Sequence, residues 1–382
     1  MADGISNQDA VLFQERITDS GHRIAFAKLN SEKSLNALTL DMIRLLDERL
    51  KQWEADPNVV CVVLSGAGEK AFCAGGDVRS LRDSILTHKA PGPNPQAQAF
   101  FGEEYRLDYR IHKYSKPILA WGGGIVMGGG LGLLAGASHR VVTEQSRIAM
   151  PEVSIGLYPD VGGSWFLPRM PGRVGLFLAL TGAALNGHDA LHVGLADFFL
   201  KSEDRNTFFE SLTNAAWQSD ALENRNTLSK ALQSFSERAS DVLPVSNVKR
   251  HADLIEDLTH GESLLDVRNA ITGYSGEDSW LKKAAAALAG GSPTSVALMW
   301  EIWRRSKHMS LAEVFRMELI ISLQCCEHPD FPEGVRALLV DKDNKPNWTP
   351  PRVEDVSEQW IAGHFTAPWS AWNNELHPLA DL

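Results

Sequence analysis

Two glycine-rich turns constrain the fold of this chain more than any other feature of its sequence. The first is Ala71-Phe72-Cys73-Ala74-Gly75-Gly76-Asp77, and the second is Gly128-Gly129-Gly130. Each turn follows an apolar, strand-like run and precedes a helix-like run, so its backbone N–H groups can point at a ligand near the helix N-terminus. Two such turns can supply the two donors of an oxyanion hole.

The order of strand-like and helix-like runs favours an α/β core in the first 200 residues. Thr39 is placed to cap a helix that runs from Met42 to Trp53, with apolar residues at helical spacing. The candidate strands are the runs 23–27, 59–64, 117–121 and 140–143.

Helical periodicity replaces the strand signal after about residue 200. Ser292 and Pro293 follow two glycines and predict a helix start, with Ser292 as the N-cap. The predicted helices lie near 205–217, 219–237, 245–260, 277–290, 293–307 and 310–326. We therefore predict an α/β core over residues 12–200 that carries the active site, a helical region over 201–350 packed on that core, and an irregular tail over 351–382.

Composition and charge restrict the classes of partner. The chain has 382 residues, 44% of them hydrophobic, and a formal net charge of −11. A substantial core is expected, whereas nucleic acids and anionic membranes are not expected as partners, because their binding proteins carry basic patches. No apolar run approaches the ~18 residues that cross a bilayer.

The cysteines and the first 20 residues predict a cytoplasmic location. Residues 1–20 contain four acidic side chains and no apolar signal region. The cysteines show no C-x-x-C spacing, which fits a reducing compartment. They are Cys61, Cys73, Cys325 and Cys326.

Several common catalytic motifs are absent from the sequence. Gly122, Gly124 and Met127 break the dinucleotide pattern G-x-G-x-x-G, and Gly66-Ala67-Gly68-Glu69-Lys70 lacks the Walker spacing. No serine lies in a G-x-S-x-G elbow, and the histidines show no H-E-x-x-H spacing. We therefore predict neither a metal nor a bound nucleotide cofactor.

The loop from Pro151 to Asp160 contains the acidic residues best suited to catalysis. Glu152 and Asp160 could simply be turn or helix-start residues, as the glycines could be tight turns. However, both acids and both glycine turns fall in the same part of the chain, and Glu152 has apolar neighbours. A carboxyl in such surroundings has a raised pKa and suits proton transfer near neutrality.

These residues, taken with several further blocks, closely resemble the enoyl-CoA hydratase/isomerase (crotonase) superfamily. The blocks that carry the resemblance are Ser34-Leu35-Asn36-Ala37-Leu38, Lys70 to Asp77, Met127 to Gly130, Thr181-Gly182 and Gly194-Leu195-Ala196. Three others look like its 3-hydroxyisobutyryl-CoA hydrolase branch: Phe101-Gly102-Glu103-Glu104-Tyr105, Ala149 to Glu152, and Tyr158 to Gly163.

The resemblance implies a spiral of ββα units with a helical C-terminal region. It also implies a coenzyme A thioester substrate whose carbonyl oxygen lies between the backbone amides of Gly76 and Gly129. Simple hydratases of this superfamily use two glutamates, and the first of them falls on Gly132 here. Because Gly132 has no side chain, only Glu152 remains for that chemistry.

The hydrolase branch implies a role for three acidic residues. Glu152 would be the nucleophile or the general base, Asp160 would transfer the proton, and Glu104 would bind the hydroxyl group of the substrate. On composition alone Glu104 is a solvated helix residue. No cofactor is implied beyond the coenzyme A of the substrate, and the resemblance allows a homo-oligomer.

Three functions stay open at this point. The first is hydrolysis of a short, branched 3-hydroxyacyl-CoA, as in valine breakdown. The second is hydration or isomerisation of a short enoyl-CoA, against which Gly132 argues. The third is a catalytically silent family member that binds partners, against which the intact glycine turns and acidic residues argue.

Overall fold

The computed structural model describes residues 10–369 and 379–382 and divides the chain into two compact units. Unit 1 contains the described part of Met1–Gly76 together with Leu107–Ile148 and Leu185–Lys249. Unit 2 contains Asp77–Arg106, Ala149–Ala184 and the described part of Arg250–Leu382. Each unit thus combines three separated segments. The domains predicted from the sequence are instead consecutive stretches with boundaries near residues 200 and 350, and they stay a prediction.

The strands form two sheets. In chain order they are β1 (Val11–Ile17), β2 (Arg23–Leu29), β3 (Val59–Gly66), β4 (Ala71–Cys73), β5 (Ile118–Gly122), β6 (Ile125–Met127), β7 (His139–Val142), β8 (Arg147–Ala149) and β9 (Phe198–Phe199). The larger sheet has the order β1-β2-β3-β5-β7-β9, with β1 antiparallel to β2 and the other pairs parallel. The smaller sheet has the order β4-β6-β8.

The four predicted strands correspond to β2, β3, β5 and β7 and are confirmed. All residues of β3 and β5 are buried. Central parallel strands have both faces covered, which is why these two read as continuous apolar runs rather than as alternating ones.

The helices account for most of the remaining described residues. In chain order they are α1 (Leu40–Ala55), α2 (Val78–Thr87), α3 (Pro95–Lys113), α4 (Gly129–Ala135), α5 (Gly163–Phe166), α6 (Val174–Thr181), α7 (Gly187–His192), α8 (Arg205–Ser211), α9 (Ala221–Ser236), α10 (Asn247–Arg250), α11 (Ala252–Thr259), α12 (Leu264–Thr272), α13 (Ser279–Gly290), α14 (Pro293–Ser306), α15 (Leu311–Glu327), α16 (Asp330–Val335) and α17 (Glu358–His364).

The core of unit 1 lies between the larger sheet and α8 and α9. Trp121 of β5 packs against Phe208 and Phe209 of α8, and Phe208 packs edge-on against Phe235 of α9. Removing one such buried aromatic ring typically costs 3–5 kcal/mol, so we estimate about that much for each. The predicted cap of α1 is confirmed: Thr39 accepts a hydrogen bond from the Met42 N–H at 3.2 Å.

Unit 2 is mainly helical. Every residue of α6 is buried, which makes it a central helix of this unit. The predicted start of α14 is confirmed, because Pro293 is its first residue and Ser292 accepts a hydrogen bond from the Ser295 N–H at 3.0 Å. Of the described residues, no helix is long and apolar enough to cross a membrane.

Among its described residues, the predicted irregular tail contains the 3-10 turn Val353–Asp355 and the helix α17. Ser357 caps this helix by accepting a hydrogen bond from the Trp360 N–H at 3.1 Å, and Ile361 and His364 are buried. A capped turn with a buried face stabilises this short helix within a segment that was predicted to be irregular. Residues 370–378 of the predicted tail lie outside the described residues.

Candidate active site

The two glycine turns meet within unit 1. The first turn connects β4 to α2, and the second connects β6 to α4. Side by side in the smaller sheet, β4 and β6 run parallel, so their carboxyl ends lie at the same edge. A methyl group placed on Gly75 would lie 3.5 Å from the Met127 carbonyl oxygen and 3.9 Å from the Gly128 Cα. The turns that carry Gly76 and Gly129 are therefore neighbours, as predicted.

Backbone geometry explains why these turns need glycine. Gly75 has φ +113° and Gly128 has φ +47°, values that side-chain-bearing residues rarely adopt. A Cβ on Gly130 would collide with the carbonyl oxygen of Cys73, so the second turn can approach the first only without a side chain there. The triple glycine is thus required by close packing of backbone on backbone.

Gly129 is the first residue of α4, so its N–H has no acceptor within that helix. The first turn is held by bonds from the Leu38 N–H to the Gly75 carbonyl at 2.8 Å and from the Ala74 N–H to the Leu35 carbonyl at 3.0 Å. Neither bond uses the Gly76 N–H. These are the two donors predicted to bind the thioester oxygen, and that role stays a prediction.

Three buried carboxyl groups gather in unit 2, and we call Glu104, Glu152 and Asp160 the carboxyl cluster. Glu104 lies on α3, Glu152 begins the 3-10 turn Glu152–Ile155, and Asp160 lies in the loop before α5. Their exposed fractions are 2%, 5% and 4%. The expectation that Glu104 is a solvated helix residue is wrong, because its face of α3 is covered by the core of unit 2.

Burial raises the pKa values of all three groups, and repulsion between the carboxylates raises those of Glu104 and Glu152 further. Burial is the main cause for Glu104 and Glu152, and the charge of Asp160 raises both pKa values further. Burial also raises the pKa of Asp160, to about 6, against a lowering effect of the hydrogen bond from Tyr105. The protons of such a cluster leave in steps that belong to the group as a whole. With a pKa of about 6, Asp160 suits proton transfer near neutral pH.

Two oxygen atoms of the carboxyl cluster lack hydrogen-bond donors. Glu104 Oε1 and Glu152 Oε2 are buried and make no hydrogen bond with the described residues. A buried acceptor without a donor is costly, so such atoms are rare unless a ligand supplies the donor. The described residues contain no group of three or more side chains arranged to hold a metal ion.

The loop after Asp160 is strained and is held by a residue that the sequence analysis missed. Val161 has φ +51° and Gly162 has φ +86°, and a β-branched residue rarely adopts such an angle. Glu318 of α15 accepts hydrogen bonds from the Gly162 N–H at 2.8 Å and from the Ser164 N–H at 2.9 Å. These two bonds fix the backbone that orients Asp160.

Tyr105 is a second residue that the sequence analysis missed. Its hydroxyl donates a hydrogen bond to Asp160 Oδ2 at 2.6 Å and contacts Ser322 Oγ of α15 at 2.7 Å. The sequence contained a signal for both helices: Glu318 and Ser322 lie at helical spacing within the apolar face of α15, and Tyr105 follows Glu104 directly. Polar residues within a buried face must have partners, so such residues mark a buried polar site.

Close packing in unit 2 also fixes the turn that carries Glu152. A Cβ on Gly156, which ends this turn with φ +71°, would collide with Asp330 of α16. Similarly, a Cβ on Gly334 of α16 would collide with Ile155. The C-terminal helical region is thus needed to position Glu152, since both glycines allow α16 to contact the turn directly.

Comparisons with known proteins show the family of this chain. The family model "Enoyl-CoA hydratase/isomerase" matches residues 24–365. The chain is 40% identical over 340 residues to a protein of Danio rerio named "3-hydroxyisobutyryl-CoA hydrolase, mitochondrial", covering 89% of this chain and 86% of that one. The Homo sapiens protein of the same name is 37% identical over 338 residues, covering 88% and 84%.

A solved structure confirms the fold. The carnitinyl-CoA dehydratase of Mycobacterium thermoresistibile superposes with a TM-score of 0.82 at 32% identity, covering 94% of this chain and 96% of that one. The predicted α/β fold of the crotonase type, with its helical C-terminal region, is therefore confirmed.

The predicted cytoplasmic location is contradicted, because both of the named relatives above are called mitochondrial. A targeting signal is read by the import machinery and removed, so the composition of the folded protein keeps no physical record of the compartment. The acidic residues among the first 20 were therefore no guide to location.

The resemblance seen in the sequence motifs is thus confirmed by a family model over most of the chain and by relatives that are 37–40% identical over 88–89% of it. The chain belongs to the enoyl-CoA hydratase/isomerase family.

Proposed function

We propose that this chain hydrolyses 3-hydroxyisobutyryl-CoA to 3-hydroxyisobutyrate and coenzyme A. The observation that carries the proposal is the carboxyl cluster: three buried carboxyls with raised pKa values, two of which have an oxygen that finds no donor in the described part of the chain. The names of the relatives at 37–40% identity support this substrate. Hydrolysis of this thioester is a step of valine breakdown.

In unit 1, the N–H groups of Gly76 and Gly129 would bind the carbonyl oxygen of the thioester. Two donors aimed at a developing oxyanion stabilise the tetrahedral intermediate, and losing one of them typically costs about 10²–10³-fold in kcat. These groups are backbone atoms of tightly packed turns, so they need no rearrangement during the reaction.

In unit 2, Glu152 would carry the hydrolysis by one of two routes. As a nucleophile, its carboxylate oxygen attacks the carbonyl carbon, the C–S bond breaks, and the coenzyme A thiolate leaves with a proton from Asp160. Water then cleaves the resulting anhydride to the free acid and the Glu152 carboxylate, and the proton released in this step returns to Asp160. As a general base, Glu152 takes a proton from the attacking water, whose oxygen bonds to the carbonyl carbon. The same C–S bond then breaks, and Asp160 protonates the thiolate.

Glu104 would select the acyl group. Its buried Oε1 has no donor among the described residues, and the 3-hydroxyl of the substrate can supply one. An analogue without that hydroxyl leaves the acceptor unpaired, which a buried polar site rejects strongly.

Hydration of a double bond is the alternative chemistry in this family. Gly132 lies buried on α4 and has no side chain, so it cannot supply the first of the two glutamates that the hydratase route uses. Glu152 would have to act without that partner.

The proposal is tested with two substrates in parallel. Thiol release is measured on 3-hydroxyisobutyryl-CoA, and loss of enoyl absorbance is measured on crotonyl-CoA. We expect fast thiol release and little hydration. Fast hydration without thiol release would replace the proposal with the hydratase function, and inactivity on both esters would favour a catalytically silent protein.

The two routes for Glu152 can be separated by trapping. Hydroxylamine added during turnover converts an acyl-glutamate anhydride to a hydroxamate, which mass spectrometry of the digested protein locates. A hydroxamate at Glu152 supports the nucleophilic route, and an unmodified Glu152 under conditions of full turnover supports the general-base route.

The family resemblance also allows a homo-oligomer, and light scattering on the purified protein measures the oligomeric state.

A further inference from the structure

Asp160 stands at one end of a row of buried hydroxyl groups in unit 2, which we call the hydroxyl chain: Tyr105, Ser322 and Tyr158. Tyr105 Oη contacts Asp160 Oδ2 at 2.6 Å and Ser322 Oγ at 2.7 Å. Ser322 Oγ contacts Tyr158 Oη at 2.9 Å, and Tyr158 donates to the backbone carbonyl of Glu318 at 2.7 Å. All three hydroxyl residues are fully buried.

The number of protons in the hydroxyl chain determines which group donates at each contact when all four contacts are hydrogen bonds. The Glu318 carbonyl can only accept, so the bond at that end uses the proton of Tyr158. The contact between Ser322 and Tyr158 then needs the proton of Ser322, and the contact between Tyr105 and Ser322 needs the proton of Tyr105. The remaining contact can be a hydrogen bond only if Asp160 carries a proton and donates it to Tyr105.

Ionised Asp160 reverses part of this order. The carboxylate can only accept, so Tyr105 turns its proton toward Asp160 at 2.6 Å, a length typical of a charge-assisted bond. Ser322 can then donate to Tyr105 instead of Tyr158. Each hydroxyl rotates about its C–O bond, so the change needs no movement of heavier atoms.

We propose that Tyr105, Ser322 and Tyr158 are positioning residues that hold Asp160 in one geometry in both its protonated and its ionised forms. This inference deepens the proposed function, which requires Asp160 to give up and regain a proton in each turnover. Without the chain, one of the two forms of this buried carboxyl would lose its hydrogen bond at Oδ2.

Other charged and titratable groups also face Asp160. Glu104 and Tyr105 face it from α3, and Glu152 and Tyr158 face it from the 3-10 turn and the loop that follows. Glu318 and Cys325 face it from α15. Burial raises the pKa of Glu318 to about 8 and raises the pKa values of both tyrosines well above their usual range. The tyrosines therefore keep their protons at neutral pH, as the proposal requires.

Two substitutions in the chain shift the titration of Asp160 in opposite directions. Tyr105→Phe removes the bond to Asp160 in both forms, but the bond to the carboxylate is charge-assisted and the stronger of the two, so the titration midpoint of Asp160 rises by about one pH unit. Ser322→Ala removes the acceptor that Tyr105 uses when Asp160 is protonated but leaves the bond to the carboxylate. The midpoint therefore falls, by roughly half a unit.

The measurement is an infrared titration of the carboxyl C=O band of the free protein, with the band of Asp160 assigned by subtracting the spectrum of Asp160→Asn. Tyr114→Phe is the control, because Tyr114 is also buried but donates to the Leu50 carbonyl in unit 1. We expect an upward shift for Tyr105→Phe, a downward shift for Ser322→Ala and none for the control. Shifts of the same sign in both variants, or no shift in either, would overturn the proposal.

This titration uses no substrate, so failure of the proposed function leaves it valid. If thiol release is confirmed, the high-pH side of the kcat/KM profile, where Asp160 loses the proton that it gives to the thiolate, is a second readout and should move with the infrared midpoint. Circular dichroism checks that each variant folds. If Tyr105→Phe or Ser322→Ala does not fold, Tyr158→Phe is measured in its place. Tyr158→Phe leaves Ser322 free to donate to Tyr105, so it should also lower the midpoint.

Discussion

The glycine turns of unit 1 and the carboxyl cluster of unit 2 meet different requirements of the same proposed reaction. In unit 1 the proposed donors are backbone N–H groups, and the close approach of the turns depends on side chains being absent at Gly75, Gly128 and Gly130. In unit 2 the proposed reactive groups are side chains, and their raised pKa values depend on the burial that surrounds them. We therefore expect kcat to fall when a carbon atom is added to the turns, and when a single carboxyl oxygen of the cluster is exchanged.

The carboxyl cluster should show the largest effect of a single exchange. Glu152→Gln keeps the shape of the side chain but can neither attack a carbonyl nor accept a proton. We expect kcat to fall by about 10²–10⁴-fold with little change in binding of the ester, because general acid-base catalysis contributes about that much. Steady-state thiol release and isothermal titration with a non-hydrolysable thioether analogue measure the two quantities. A variant that keeps more than about a tenth of wild-type kcat would remove Glu152 from the mechanism.

The glycine turns should show the next largest effect, on addition of a single carbon atom. Gly130→Ala places a Cβ against the Cys73 carbonyl and should force the two turns apart. We expect kcat to fall by roughly 10²–10³-fold, as when an oxyanion-hole donor is lost. Gly290→Ala is the matched control, because a Cβ there has no atom within 4 Å. Equal activity of the two alanine variants would mean that the turns are structural only.

Asp160→Asn tests whether the carboxyl cluster works as more than one acid. The amide keeps an oxygen that can accept the bond from Tyr105 but cannot transfer a proton. We expect a fall in kcat of about 10²-fold, the lower end of the range for a proton-transfer group. Full activity would mean that Glu152 and water suffice, and the two-acid mechanism would be abandoned.

The smallest effect concerns stability, and it again separates the two regions. The pKa of Asp160 is about 6 in the folded protein, above the usual value of 3.8. The folded state therefore binds more protons than the unfolded state between pH 4 and pH 6, and the wild type loses stability as pH rises through this range. Asp160→Asn does not titrate, so it should gain about 2 kcal/mol relative to wild type between pH 4 and pH 7. Urea unfolding at both pH values measures the free energy of unfolding of each protein. Gly130→Ala keeps Asp160, so its difference in stability from the wild type should be the same at both pH values.

The sequence predicted the glycine turns of unit 1 well and the carboxyl cluster only in part. Gly75 and Gly128 are required by local backbone angles, and such requirements are visible in a short motif. Glu152 and Asp160 were found through their apolar neighbours and the family motifs. Glu104, however, resembles any helix glutamate, because its burial comes from side chains distant in the sequence.

Tyr105, Glu318 and Ser322 were missed for the same reason. Glu318 and Ser322 come more than 150 residues after Asp160, and their contacts exist only once α15 packs against the loop. Helical periodicity predicts a helix near 310–326, but it does not show which polar residues of that helix contact a distant loop. Residues that hold a catalytic group in place depend on tertiary contacts, so local patterns rarely identify them.

The most direct test of the proposed function uses Glu104, because it separates a hydrolase specific for hydroxyacyl groups from a general thioesterase. The measurement is kcat/KM for 3-hydroxyisobutyryl-CoA and isobutyryl-CoA, on the wild type and on Glu104→Ala. We expect the wild type to prefer the hydroxylated ester by about 10- to 100-fold, the cost of a buried acceptor without its donor. Glu104→Ala should lose most of that preference by slowing the hydroxylated ester alone. Equal losses on both esters would contradict the assignment of Glu104 as the residue that recognises the substrate hydroxyl.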